Sequence, residues 1–88
     1  MVTEERTVIY ELKKSRSPLE CKIYVMNDDD WFIDIELRKK KTGEITDLHR
    51  VIQKDLPGWM RHMKSASNWE VIYTNEKIVK NFCYYEKN

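Results

Sequence analysis

The sequence predicts an α+β protein: a four-stranded antiparallel sheet, an amphipathic helix at about residues 55–66, and a C-terminal β-hairpin or a strand plus a short helix. Three observations predict it. Apolar and polar residues alternate through most of the first half of the chain, helical spacing begins after Asp55, and β-favouring residues return from Trp69 onwards. With 88 residues, the chain is expected to form a single domain, residues 1–88.

The first two strands are predicted from alternation on either side of a turn. Between residues 6 and 14, Val8, Tyr10 and Leu12 alternate with the residues between them, which indicates a half-buried strand. Pro18 fixes its own backbone and biases Ser17 away from a helix, so the chain is expected to reverse there. One face of the second strand is formed by Cys21, Ile23 and Val25.

The third strand has the most regular pattern in the chain and leads into a basic run. Its two faces are predicted to be a buried set, Trp31, Ile33, Ile35 and Leu37, and a polar set, Phe32, Asp34, Glu36 and Arg38. Polar residues 27–30 precede it as a turn, and Thr42 with Gly43 follows it as a tight turn. Residues 44–52 are predicted as the returning fourth strand, although their apolar positions also fit a helical face.

A helix and a β-rich segment complete the predicted fold. Asp55 is the expected N-cap of a helix that ends near residues 65–67, with an apolar face formed by Leu56, Trp59, Met60 and Met63. Residues 69–73 and 78–85 are predicted to form a hairpin, with a short final helix as the alternative for the second segment. The three tryptophans occupy apolar positions and are predicted as core or interface rings: Trp31, Trp59 and Trp69.

Composition limits the class of protein. The net charge of +1 gives no global attraction to nucleic acid, so anion binding must come from local clusters. Cys21 and Cys83 are far apart in the chain and are predicted as reduced, packed thiols. No apolar run reaches the length of a signal peptide or a membrane span, which predicts no membrane partner and a cytoplasmic location, in the host cytoplasm if the protein is viral.

No catalytic or cofactor motif is found, so the chain is predicted not to be an enzyme. His49 and His62 lack neighbours with metal-ligand spacing, and residues 28–30 lack the glycine and distal glutamate of a calcium loop. Glycine-rich phosphate loops are absent, and no grouping of nucleophile and base can be assembled. We therefore expect no cofactor and no metal.

Two basic clusters are the strongest candidates for a functional site. They are Arg38, Lys39, Lys40 and Lys41, and Lys13, Lys14 and Arg16 with Lys22 across the first hairpin. Cations on strand ends can contact several phosphates, and the rings of Phe32 and Tyr24 can stack on unpaired bases. Asp34 and Glu36 are expected to repel a phosphate backbone, which leaves the basic end of the third strand as the predicted site. The alternative is that both clusters are solvated strand ends that protect sheet edges.

Several short motifs occur in a fixed order within residues 6–64: Ile33-Asp34-Ile35, Arg38 to Lys41, Gly43-Glu44, and Asp55 to Trp59. With the order of four strands and a helix, they resemble the positive cofactor four family of single-stranded nucleic-acid-binding coactivators. The chain departs from the family pattern where lysines replace an aromatic stacking residue, where Val51 replaces a common glycine, and where Lys54 replaces an apolar residue. The C-terminal segment has no counterpart in the family. The resemblance implies a homodimer whose sheets present grooves to unpaired DNA or RNA.

The sequence therefore predicts a small non-enzymatic protein that binds single-stranded RNA or DNA with little sequence specificity. The alternative is a phage or mobile-element protein that binds and inhibits a host protein, such as a toxin or defence enzyme, directly or through RNA. Small size, the lack of catalytic groups and many aromatic residues that can form an interface favour this alternative.

Overall fold

A computed structural model of the chain describes residues 5–26 and 31–82 and contains an antiparallel sheet with two helices. The strands are β1 (Arg6–Lys14), β2 (Leu19–Met26), β3 (Phe32–Lys39), β4 (Ile45–Ile52) and β5 (Trp69–Thr74). The helices are α1 (Leu56–Ala66), preceded by one 3₁₀ turn (Gln53–Asp55), and α2 (Glu76–Val79). The predicted α+β class and antiparallel sheet are confirmed, but the sheet has five strands instead of four.

The order of the strands in the sheet is β4-β3-β2-β1-β5. Strands β1 to β4 form a continuous meander, as the alternation predicts, and each pairs with its neighbour in sequence. Strand β5 returns to the far side of the sheet and pairs with β1, so that Leu12 lies opposite Val71 and Lys14 opposite Trp69. The edges of the described sheet are therefore β4 and β5.

The core lies on one side of the sheet, which we call the helix face because α1 packs there. Leu56, Met60 and Met63 of the helix share a single hydrophobic cluster with the inward side chains of the strands. In the centre of the sheet, Ile23 and Ile35 are fully buried. The opposite side of the sheet, which we call the open face, is not covered by any helix or strand among the described residues. Helix α1 is the amphipathic helix that the sequence predicts at about residues 55–66, and this prediction is confirmed.

A β-bulge in β1 changes the alternation that the sequence suggests. The pairing with β2 shifts between Val8 and Tyr10, so Ile9 and Tyr10 together oppose Ile23. As a result Ile9 is fully buried, whereas Val8, which the simple period of two places in the core, is only half-buried. The predicted bounds of the strand are correct, but its inward set is Ile9, Tyr10 and Leu12.

The three tryptophans have different environments. Trp69 is buried in the core, and Trp59 is half-buried with its ring centroid 5.1 Å from that of His49. Trp31 is 54% exposed, so its placement in the buried set of the third strand is wrong, and the alternative of an interface ring stays a prediction. The regular β3 strand begins one residue after it, at Phe32, and the alternation does not extend to a residue in the adjoining turn.

Helix α1 begins and ends where the sequence predicts, but the predicted N-cap hydrogen bond is not formed. Asp55 is the N-cap residue, but its backbone is helical and its side chain accepts no capping hydrogen bond, because a 3₁₀ turn already precedes the helix. The helix ends at Ala66, within the predicted region, and Ser67 is the C-cap. Asn68 then has a φ of 59°, a left-handed conformation that asparagine tolerates after a helix.

The C-terminal hairpin that we preferred is wrong for the residues that the structure describes, and the alternative of a strand plus a short helix is correct. After β5, Asn75 donates its backbone N–H to the Ile9 carbonyl oxygen at 2.8 Å and the chain turns into α2. Val79 and Phe82 are buried in the common core. Residues 83–85 of the predicted second strand lie outside the described residues.

Of the two predicted thiols, Cys21 is free and fully buried on the helix face. Burial raises its thiol pKa to about 12, so it stays protonated and unreactive at neutral pH. Cys83 lies outside the described residues. Neither α1 nor α2, the helices within residues 5–26 and 31–82, is long and apolar enough to cross a membrane.

The two glycines of the chain provide opposite tests of the fold. Gly43 has a φ of 74° in the β3–β4 turn, where its N–H donates to the Lys39 carbonyl oxygen at 2.8 Å. We expect Gly43→Ala to lower the free energy of unfolding by about 1 kcal/mol, because an L side chain is strained in this conformation.

Gly58 is the matched control, because it lies in the first turn of α1 and a Cβ added there meets no atom within 4 Å. Gly58→Ala should raise the free energy of unfolding by up to about 1 kcal/mol, through helix propensity. Urea unfolding measures both variants. Effects of the same sign would contradict either the turn or the helix.

Candidate nucleic-acid interface

The two predicted basic clusters meet at one end of the sheet. The β1–β2 turn and the β3–β4 turn lie side by side, and the Lys40 N–H donates to the Pro18 carbonyl oxygen at 2.9 Å. Leu19 is paired with Lys39 directly below them. We call this surface the basic end, and it is formed by Lys13, Lys14, Arg16, Lys39, Lys40 and Lys41. Cations that are far apart in sequence are therefore brought to the same end of the sheet.

A shallow cavity of about 190 Å³ opens on the open face next to the basic end. Lys13, Lys22 and Lys40 line it from three separate segments of chain, and Glu11 and Glu20 line it between them. Cations and carboxylates alternate here because of the cross-strand pairing, in which Lys13 lies opposite Glu20 and Glu11 lies opposite Lys22. The cavity can accept an anionic group that approaches the three ammonium groups and avoids the two carboxylates.

The ammonium groups of the β3–β4 turn differ in their ion pairing and exposure. Lys39 forms an exposed ion pair with Glu44, at 3.1 Å between Nζ and Oε1. Exposed ion pairs of this kind contribute little to stability, so the Lys39 ammonium group can pair with another anion instead. Lys40 and Lys41 are exposed at the tip of the turn, and Arg16 is exposed at the tip of the neighbouring turn with a left-handed φ of 61°.

Two of the predicted site residues, Arg38 and Tyr24, lie in an internal network on the open face. Arg38 forms an ion pair with Glu36, and its Nη2 donates to the Tyr24 hydroxyl at 3.2 Å. The Arg6 guanidinium lies over the Tyr24 ring, 4.1 Å from its centroid. One face of this ring is therefore already occupied, and the Arg38 charge is already matched by a carboxylate.

Glu36 and Asp34 are the anions at the centre of this network. Their exposed fractions are only 1% and 2%, so these two residues of the predicted polar face of β3 are buried. Arg6 bridges both carboxylates, with its Nη1 at 3.2 Å from Glu36 Oε2 and 3.4 Å from Asp34 Oδ2. The sequence reveals the carboxylates but not their neutralisation, because Arg6 is 28 and 30 residues away from them.

Arg50 binds Asp34 from the neighbouring strand with two hydrogen bonds, of 2.7 Å from Nε and 3.2 Å from Nη2. These bonds lower the pKa of Asp34 against the opposing effect of burial, and Arg6 lowers it further. Because the pKa is lower in the folded state than in the unfolded chain, the carboxylate stabilises the fold above its ordinary titration range. That stabilisation is lost as the pH falls through the lowered pKa.

The predicted stacking residue Phe32 is partly exposed but lies at the opposite end of β3 from the basic end. Seven steps of about 3.3 Å separate it from Lys39, a distance of roughly 23 Å. The structure therefore does not bring Phe32 and the β3–β4 lysines into contact with the same nucleotide.

The sequence analysis missed an aromatic ring that does lie near the cavity. Tyr73 is 44% exposed and sits opposite Glu11, one of the residues that line it. A β-bulge in β5, where the pairing with β1 shifts between Glu11 and Leu12, places both Ile72 and Tyr73 on the open face. The alternation of Trp69 to Tyr73 gives no sign of this bulge, so only the pairing with β1 reveals the ring.

No candidate metal centre is found in residues 5–26 and 31–82, since no three side chains of His, Cys, Asp or Glu are grouped there to hold an ion. His49 and Asp47 lie side by side on the edge strand β4, with His49 Nε2 and Asp47 Oδ2 3.0 Å apart. Both side chains are about half exposed.

The ion pairs of Glu36 with Arg6 and Arg38 can be tested by their effect on the free energy of unfolding. Glu36→Gln removes the shared anion of Arg6 and Arg38 and should lower the free energy of unfolding by about 2 kcal/mol, less than for a fully buried pair because both arginines are partly exposed. Glu44→Gln is the matched control, because it breaks only the exposed pair with Lys39 and should change stability by less than about 0.5 kcal/mol. Equal effects in urea unfolding would contradict the network.

Comparison with known proteins does not assign a family to this arrangement. No protein-family model matches the chain, and no curated protein or solved structure matches it either. The function proposed below therefore rests on the residues of this chain and on their geometry.

Proposed function

We propose that the protein binds single-stranded RNA or DNA through the basic end of its sheet, with little sequence specificity. The observation that carries this proposal is the contact between the two basic turns, in which the Lys40 N–H and the Pro18 carbonyl oxygen are 2.9 Å apart. This contact makes one cationic surface from two clusters that the sequence separates. The resemblance to the positive cofactor four family stays a prediction that agrees with this function.

The lysines around the cavity are assigned to phosphate binding. Lys13, Lys22 and Lys40 approach one depression from three segments, so that one phosphate there meets several ammonium groups. Outside the cavity, the remaining cations of the basic end extend the surface over both turns: Lys14, Arg16, Lys39 and Lys41. Arg38 and Tyr24 act by holding β2 and β3 together beneath this surface.

Tyr73 is assigned to base stacking in place of Phe32 and Tyr24. Its ring is exposed on the same face as the cavity, and a base bound next to a phosphate there can reach it. Stacking tolerates any base, because every base has a π-face. No set of base-edge hydrogen-bond donors and acceptors is required, which accounts for the low sequence specificity in the proposal.

The small net charge of +1 is compatible with this function. Charges are screened over about 8–10 Å at physiological salt, so a bound strand responds to the local cations and not to the sum over the whole chain. The carboxylates of Glu11 and Glu20 lie in the cavity wall and direct the backbone of the strand away from the centre of the open face and towards the two turns.

The first test is the salt dependence of binding to a labelled single-stranded oligonucleotide, measured by fluorescence anisotropy. We expect affinity to fall steeply as salt rises, with a slope of about −0.7 per phosphate neutralised. Lys13→Ala, Lys22→Ala and Lys40→Ala combined should weaken binding and reduce the magnitude of the slope by about 2.

The control variant removes the same charge elsewhere, through Lys54→Ala, Lys77→Ala and Lys80→Ala, which are exposed and lie away from the basic end. It should leave the slope unchanged. Equal losses of oligonucleotide affinity in the two triple variants would contradict binding at the cavity lysines. A flat salt response of the unmodified chain would contradict nucleic-acid binding and favour the alternative of a protein partner.

The second test separates stacking from charge. Tyr73→Ala should weaken oligonucleotide binding by roughly 5- to 150-fold, which corresponds to about 1–3 kcal/mol for one stacked base, while leaving the salt slope unchanged. Tyr73→Phe keeps the ring and should bind as the unmodified chain does. If both variants bind normally, Tyr73 does not contact the bases.

A further inference from the structure

Strand β4 is an edge strand with an open outer side. It forms one end of the strand order and pairs with β3 on its inner side only, as far as the described residues extend. Two large apolar side chains on it, Ile45 and Leu48, are 50% and 52% exposed. A long edge strand with exposed apolar residues is a template for pairing with another strand.

The backbone groups that face outward on β4 follow from its pairing with β3. The Gln53 N–H donates to the Trp31 carbonyl oxygen at 2.7 Å, which sets the phase of the ladder at this end. Because antiparallel pairs alternate, the N–H and C=O groups of Leu48, Arg50 and Ile52 point away from β3. The Leu48 N–H donates to the side chain of its own neighbour, Asp47, at 3.0 Å, which agrees with this direction.

We propose that β4 binds β4 of a second copy of this chain in antiparallel orientation, with the twofold axis at Leu48. Two five-stranded sheets then join into one continuous sheet. The outward groups of Leu48 form a reciprocal pair of hydrogen bonds with Leu48 of the second copy, and the two exposed leucine side chains contact each other across the axis on the open face.

Like charges on β4 disfavour two neighbouring registers, and the exposed Leu48 side chain favours an axis at Leu48 over one at His49. An axis at Asp47 would place two aspartates opposite each other, and an axis at Arg50 would do the same with two arginines. An axis at His49 would place Leu48 opposite Arg50. With the axis at Leu48, Asp47 lies opposite His49 of the second copy and Arg50 lies opposite Thr46, so like charges are separated.

The pairing replaces contacts within one chain by equivalent contacts between the two copies. Asp47 already binds His49 of its own chain, at 3.0 Å between Oδ2 and Nε2, and both side chains are about half exposed. In the dimer, two aspartates and two histidines alternate across the helix face of the joined strands. The Leu48 N–H exchanges the Asp47 side chain for a carbonyl oxygen of the second copy, so no backbone donor is lost.

The dimer is independent of the proposed nucleic-acid site. Because the strands are antiparallel, the two basic ends point to opposite ends of the joined sheet. The pairing uses the outer side of β4 and covers neither the cavity lysines nor Tyr73. Loss of the dimer and loss of oligonucleotide binding can therefore be observed separately.

Sedimentation equilibrium over a wide range of protein concentration tests the proposal. The average mass should rise with concentration from that of one chain, 10.7 kDa, towards twice that value. Leu48→Lys places like charges at the axis and should hold the mass at one chain. Ile72→Lys is the matched control, because Ile72 is equally exposed, at 55%, but lies on β5, and it should dimerise normally.

A second measurement tests the register by oxidation in a Cys83→Ser background, in which buried Cys21 stays reduced. Leu48→Cys should cross-link to itself, because paired Cα atoms about 5.5 Å apart are within disulfide range. Ile45→Cys is about as exposed but lies about 20 Å from Ile45 of the second copy, and it should not cross-link.

Three results would overturn the proposal: one chain at every concentration, a dimer that survives Leu48→Lys, or equal cross-linking of the two cysteine variants. Circular dichroism shows whether the exposed substitutions leave the fold intact. Unchanged oligonucleotide binding by a monomeric Leu48→Lys variant is expected and would show that the two surfaces act separately.

Discussion

The structure depends on the neutralisation of two buried carboxylates on β3. Glu36 and Asp34 point to the open face of the sheet, yet both are buried beside arginines that pair with them. Arg6 comes from β1 and Arg50 from β4, so the network crosses the strands that flank the carboxylates. A slip of β3 by one residue would place both anions against the apolar helix face, and the network therefore reinforces the register that the hydrophobic core already favours.

This network also limits which cations can take part in the proposed binding surface. Its arginines are committed to the carboxylates, so the centre of the open face is close to charge balance despite its many cations. Within residues 5–26 and 31–82, the lysines of the two turns pair with no buried carboxylate, and they are the cations that remain for the proposed ligand. Lys22 and Lys13 extend this surface down the sheet, but Glu11 and Glu20 beside them limit it. The proposed binding surface is therefore concentrated at one end of the sheet and does not cover the open face.

Local patterns predict much of this fold, and long-range pairing determines the rest. Alternation and helical spacing are properties of neighbouring residues, and they locate β1 to β4 and α1 correctly. The burial of Glu36 depends on Arg6, which is 30 residues distant, and the exposure of Tyr73 depends on a bulge that exists only because β5 pairs with β1. The proximity of the basic clusters could be predicted, because both follow strands that run in the same direction in the meander. The partners of Arg38 and Tyr24 could not.

The position of β5 makes the two edges of the sheet unequal. By returning to β1, β5 covers the edge of the meander that the first strand would otherwise expose. The new edge is short, and the bulge at Ile72 increases its twist, a feature that discourages pairing with another chain. Strand β4 is longer, and its bulge lies near its beginning, between the pairings of Leu37 and Arg38, so its pairing with β3 is regular from Asp47 to Ile52. The edge that carries the exposed Leu48 is thus also the one whose backbone geometry best permits a further strand to join the sheet.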